Sequence, residues 1–314
     1  MRYHLLAVPV CLLAFTLASS KPPGLAALIP LPPAVARLVA ARALDVELLA
    51  PGLWWLSGGA DGSVLVLSGD DGTLLVDSRA PGTAEELIAA VDALDLTPVR
   101  WVINTHYHED HRGANAHYAG LGAVVIGHEQ SRPLMQVSET IEAMSWTLTA
   151  ASNETLPTVT IASPMTLYAA GHTVRLLPLP GGHTGSDLAV FIEDLDVLHT
   201  GDQFELGSYP FLDIWHGGSL EGLIKGVSML LDVAGPETVI IPGHGPRSRR
   251  EQMLGYHKML LGVSEAIDDG LADEMDLEQL MASQPTSRWD DRWGGVASGR
   301  RFGAIAFLDA TGER

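Results

Sequence analysis

Four β-rich apolar runs in this chain each end in a turn that carries histidine or aspartate. "VRWVINTH" leads into "HYHEDH", His106 to His111; "GGHTGSD" carries His183; "LHTGD" carries Asp202; "IIPGHG" carries His244. Polar residues at one strand end are common, because loops carry function on a rigid scaffold. An imidazole or carboxylate at four separate strand ends is not explained by packing, and it restricts the chain to folds that bring those ends to one edge.

The pattern between the four turns fits such a fold. In the first half, "GSVLVLSGDDGTLLVDS" reads as two strands joined by a "GDDG" turn. A helix follows over "TAEELIAAVDALDL", with Thr83 as N-cap and Glu86 as its capping-box partner. In the second half, "MTLYAAGHTVRLLPLP" is a further hairpin, "SDLAVFIEDLDVLHTGD" holds two strands, and "SLEGLIKGVSMLLDV" is a helix before the strand that reaches His244. The segment from Glu129 to Pro157 reads as helical and then irregular, and the tail after Gly262 as an acidic helix and a final strand, "RFGAIAFLD". The fold class is α/β, an αββα four-layer sandwich of two mixed sheets flanked by helices, with its site along one edge.

The chain begins with a charged start, the apolar run "LLAVPVCLLAFTLA", and small residues before Lys21, the layout of a secretory signal peptide over residues 1–20. That run is shorter than the roughly 20 residues a membrane span requires, so no stable membrane insertion is expected after cleavage. Residues 21–45 read as a linker with one short helix from about Ala34 to Ala43, and 46–314 as the folded domain. Export implies a secreted or periplasmic protein. The single cysteine, Cys11, lies inside the signal, so any metal must be held by histidine and carboxylate. A net charge of -19, with 19 basic against 38 acidic residues, argues against a nucleic-acid partner.

In an extended or tightly turned loop His106 and His108 point the same way, while Asp110 and His111 face a neighbouring position, a spacing that suits two adjacent metals. Imidazole and carboxylate are the ligands expected for zinc. Glycines beside His183, Asp202 and His244 let the backbone turn sharply next to an ion. His117, His128, His172, His216 and His257 match no ligand position, and His199, three residues before Asp202, reads as structural or as a support for a ligand.

In order and spacing, over roughly Val46 to Gly262, the four motifs resemble the metallo-β-lactamase superfamily of metal-dependent hydrolases. The resemblance implies two zinc ions, with iron or manganese as other divalent metals of such sites. It implies His106, His108 and His183 on one ion, Asp110, His111 and His244 on the other, and Asp202 bridging both together with a water or hydroxide. It also gives Asp110 a catalytic role in orienting the attacking hydroxide. An aspartate at 202, where zinc β-lactamases of one type carry cysteine, is similar to glyoxalase II and its relatives. The implied substrate is a small molecule with an ester, lactone or thioester bond. A β-lactam is the alternative, and a non-catalytic metal-binding protein on the same fold is the rival from another class. In the segment after Asp202, Tyr209, Phe211 and Trp215 are expected to rim the pocket, with the Tyr209 hydroxyl as a catalytic donor to an oxyanion.

Overall fold

The computed structural model describes residues 44–58 and 61–313; the expected signal, linker and helix near Ala34 to Ala43 lie outside the described residues. Strands β1 (Asp45–Ala50), β2 (Leu53–Ser57), β3 (Val64–Gly69), β4 (Gly72–Val76), β5 (Val99–Ile103), β6 (Val124–His128) and β9 (Val159–Ile161) form one sheet in that order. Its first four strands are antiparallel neighbours, and β4, β5, β6 and β9 run parallel. A second sheet holds β10 (Met165–Ala169), β11 (His172–Pro178), β12 (Leu188–Ile192), β13 (Val197–His199) and β14 (Val239–Ile241), antiparallel except for the last pair.

Alternation along the strands explains the layering. In β3, Leu65 and Leu67 enter the core between the sheets, while Val64 and Val66 face out toward helix α1 (Ala84–Ala93) and α2 (Asn115–Gly120). In β12, Leu188, Val190 and Ile192 face inward, and Ala189 and Phe191 face the helices α4 (Leu220–Val233) and α5 (Arg250–Ala272). Both faces of each central strand are covered, so those strands are apolar throughout rather than alternately polar. The result is the expected αββα sandwich. Strands β11, β13 and β14 are mutually parallel in direction, so their C-terminal ends share one edge. The Leu188 N–H donates to the Thr105 carbonyl at 2.7 Å and joins that edge to the end of β5.

Three local expectations are corrected. The Thr83 side chain does not cap α1; its hydroxyl bonds Asp61, so the Thr83–Glu86 capping box does not form. After the four-residue helix α3 (Ser131–Leu134), the segment to Pro157 contains a separate hairpin, β7 (Glu139–Ile141) and β8 (Trp146–Leu148), rather than only irregular chain. The final apolar run is not a strand: after α6 (Leu277–Ser283) it lies in the helix α7 (Gly295–Thr311). A fully buried apolar run carries no period that separates strand from helix. Here Phe302 to Phe307 are all buried, and Gly299 packs so closely on Thr286 and Asp290 that a Cβ would lie 2.2 Å from the Asp290 carboxylate. Among the described residues no helix is long and apolar enough to cross a membrane.

Candidate metal centre

The turn after β5 is held from beneath by a buried polar web. Asn104 donates to the His111 carbonyl at 2.9 Å and exchanges hydrogen bonds with Asn115, which also receives the Ser78 hydroxyl at 2.8 Å. The short 3-10 turn Glu109–His111 buries His111 and leaves Asp110 partly open to solvent. In the second sheet, the buried Asp187 collects the N–H groups of Gly182 and Thr184, the Thr184 hydroxyl and the Gln203 amide, which ties the His183 turn to the Asp202 turn. Gly201, with φ +53, donates its N–H to His199 Nδ1 at 3.1 Å, and its carbonyl receives the Gly243 N–H at 2.8 Å. His199 is therefore a structural support for the Asp202 turn.

Four buried imidazoles of the centre each have one nitrogen committed to an acceptor, which turns the other inward. His111 Nδ1–H donates to Asp77 at 2.8 Å, His183 Nδ1–H to the Phe211 carbonyl at 2.8 Å, and His108 Nε2–H to Asp213 at 3.2 Å. The Thr105 hydroxyl donates to Asp77 at 2.8 Å, so it accepts from His106 Nδ1–H at 3.1 Å. The remaining lone pairs converge. His108 Nδ1 lies 3.0 Å from His106 Nε2 and 2.9 Å from His183 Nε2. Three imidazole nitrogens converging at such distances could hold a cation between them.

Asp110, His111 and His244 form a second convergent set, with Asp110 Oδ2 at 3.1 Å from His244 Nε2 and 3.5 Å from His111 Nε2. Asp202 stands between the sets: Oδ2 is 3.4 Å from both His183 Nε2 and His244 Nε2, and Oδ1 is 3.4 Å from His111 Nε2. His111 Nε2 and Asp202 Oδ1 are buried without a hydrogen-bond partner among the described residues. Such atoms are rare in native interiors unless an ion or water takes them. This donor set fits divalent metal.

The electrostatics divide along the same line. Burial lowers His183 to about 4, and burial with His111 alongside holds His106 well below its ordinary value, so both are neutral. Burial would also lower His111 and His244, but the Asp110 and Asp202 carboxylates outweigh it and hold both well above the usual imidazole value. Protons there occupy positions a metal cation would take.

The seven ligand-type residues read from the sequence are thus brought together. Tyr209 is not among them, and its expected catalytic role is corrected. Its hydroxyl donates to the Thr286 carbonyl at 3.0 Å and to Asp290 at 2.9 Å, and its ring stacks on Phe302 within the core under the helices. Trp215 packs against the same core, whereas Phe211 does face the centre. The pocket over the ligands has a volume of about 810 Å³ and takes its apolar wall from Phe211, Met144 and Trp146, whose ring is 5.4 Å from that of His108. Asp77, Asp213 and Trp146 were not singled out from the sequence. Asp77 carried a usable signal, an acid directly after the β4 run "LLV".

A sequence model of the metallo-beta-lactamase superfamily matches residues 58–244. The chain belongs to this superfamily. Its members are metal-dependent hydrolases, and this chain is a hydrolase of that class with a His/Asp cluster that could hold metal. Solved structures share the fold. A metallo-beta-lactamase from Pontibacter korlensis is 21% identical with a TM-score of 0.58, covering 69% of this chain and 99% of its own. The DIM-1 metallo-beta-lactamase is 15% identical with a TM-score of 0.56, covering 69% and 97%. The stereoselective inverting sec-alkylsulfatase Pisa1 from Pseudomonas sp. is 18% identical with a TM-score of 0.65 and covers 87% of this chain, which spans 51% of that protein.

Proposed function

We propose that this protein is an exported dinuclear zinc hydrolase that opens an ester, lactone or thioester bond in a small molecule. The observation that carries the reading is the Asp202 carboxylate, within 3.4 Å of His183, His111 and His244 and so set between two three-residue ligand groups. Zinc bound there would supply a water acidified to a pKa of about 7 and an electrophile for the scissile carbonyl.

The chain's own residues divide the remaining work. His106, His108 and His183 would hold one ion, and Asp110, His111 and His244 the other. Asp110, partly open like His244, lines the pocket with a carboxylate that can accept a proton from the attacking water and orient it. Asp213 and Asp77 keep His108 and His111 in the tautomers that leave their inward nitrogens free. The aromatic wall of Trp146 and Phe211 takes the apolar portion of a substrate and excludes water from that side.

β-Lactam hydrolysis is the second reading, favoured by the two β-lactamase structures whose full lengths this chain matches. The test is a hydrolysis screen of the zinc-loaded protein across lactones, thioesters, aryl esters, alkyl sulfates, phosphodiesters and β-lactams, with metal analysis alongside. Two ions per chain and turnover lost on chelation and regained with zinc are expected. Metal well below one ion per chain, with no activity on adding zinc, refutes the reading. Asp110→Asn separates catalysis from mere metal binding: turnover falls while metal is retained.

A further inference from the structure

Beyond the residues matched by the superfamily model, the last helix sends one side chain into the pocket. Arg301, on α7, lines the same cavity as His108, Asp110, His183, Asp202 and His244. Most other described arginines are engaged: Arg79 pairs with Asp61, Arg112 with Glu109, Arg175 with Glu193, Arg247 with Glu47 and Arg249 with Glu237. Arg132 and Arg250 bond backbone carbonyls, and Arg288 and Arg292 lie over tryptophan rings. Among the described residues Arg100, Arg300 and Arg301 have no such partner, and the first two are exposed on the surface. Arg301 alone of the three is half-buried.

An unpaired guanidinium held partly out of water is costly unless something pairs with it. Glu109, Asp110, Asp202 and Glu205 line the same cavity, and among the described residues none of them forms an ion pair with Arg301. Its position is fixed by its neighbour: Phe302 is buried and stacks on Tyr209, whose hydroxyl is anchored to Thr286 and Asp290. A rigid base holding an unpaired, bidentate donor at the wall of a pocket is what recognition of an oxyanion requires.

We propose that Arg301 is a specificity-determining residue that binds an anionic group, a carboxylate or sulfate, on a substrate whose apolar portion rests against Trp146 and Phe211. This rests on the reading of the pocket as a hydrolase's substrate site. The first test compares zinc-loaded wild type, Arg301→Ala and Arg301→Lys on a matched pair of esters, mono-4-nitrophenyl adipate and 4-nitrophenyl hexanoate. Losing a charge-assisted pair raises KM for the anionic ester about 10- to 100-fold in Arg301→Ala. Values for the neutral ester stay within twofold, and Arg301→Lys recovers part of the loss. Equal losses on both esters, or none on either, overturn the proposal.

A second readout needs no turnover. Calorimetry of 4-phenylbutanoate, hexyl sulfate and 4-phenylbutanamide is run on wild type and Arg301→Ala, both zinc-loaded and metal-free. Preference for either anion over the amide, reduced in Arg301→Ala in both metal states, supports the proposal and tells carboxylate from sulfate. Unchanged preference overturns it. Failure of the hydrolase reading shows separately, as no hydrolysis of any ester by wild type.

Discussion

Asp77 offers a direct way to weaken one half of the centre without touching a ligand. It is fully buried with φ +64, and its carboxylate accepts the Thr105 N–H at 2.7 Å, the Thr105 hydroxyl at 2.8 Å and His111 Nδ1–H at 2.8 Å. In Asp77→Asn one carboxylate oxygen becomes an NH2. If the amide oxygen faces the Thr105 N–H, the NH2 meets His111 Nδ1–H; flipped, it meets the Thr105 N–H. The imidazole escapes by moving its proton to Nε2, the nitrogen that faces Asp110 and Asp202. Loss of such a support costs about 10- to 100-fold in metal affinity, or about 1.4–2.8 kcal/mol. Alanine is the poorer probe, because it removes the acceptor of three buried donors at about 1–3 kcal/mol each, a large share of a total stability of about 5–15 kcal/mol. On the proposed dinuclear reading, competition against a chromophoric chelator resolves two stepwise zinc affinities, with circular dichroism confirming the fold. The step that uses His111 weakens and the other stays within a few-fold. Two unchanged affinities in folded Asp77→Asn would refute the reasoning.

Other perturbations give equally definite outcomes. Tyr209→Phe keeps the stacking on Phe302 but removes the donor to Asp290 and Thr286, so denaturant titration shows a loss of about 1–3 kcal/mol while kcat stays within twofold. A tenfold fall in kcat would restore Tyr209 to the chemistry. Gly243→Ala places a Cβ 1.8 Å from Asp202 Oδ1, so metal analysis finds at least a tenfold weaker centre in a protein with native circular dichroism. Asp194, far from the centre, shows a pH effect. Burial pushes its carboxyl up, but hydrogen bonds from His172 and the Thr173 N–H hold it below the ordinary value. Its contribution to stability is present above the unfolded value of about 3.9 and is lost as pH falls through the lower folded value. The urea midpoints of wild type and Asp194→Asn therefore differ at pH 5 and converge as pH is taken below about 4; a gap that widens on acidification would contradict the assignment.

The residues that converge on the centre were legible because each stands at the end of an apolar run, where a turn must follow and a polar residue needs a reason. Their supports were not, since Asp213 lies in an aromatic loop and reaches His108 only through the folding of distant chain. Tyr209 misled for the same cause: an aromatic after a ligand can face the pocket or the core, and only the packing of α7 decides. That helix was itself hidden, its small and apolar residues buried on all sides and so without a readable period. Arg301 sits beyond the matched motifs and carries no local signal at all.

The division of the ligands between the sheets has a mechanical meaning. His106, His108, Asp110 and His111 hang from the first sheet, and His183, Asp202 and His244 from the second. Metal held by both groups would act as a cross-link, closing long loops whose entropy otherwise favours the unfolded chain. With Cys11 as its single cysteine, the chain cannot close those loops with an internal disulfide. On the proposed reading, the grip of one half on the other would be set by the free metal around the protein, and resistance to unfolding would rise with the logarithm of that concentration.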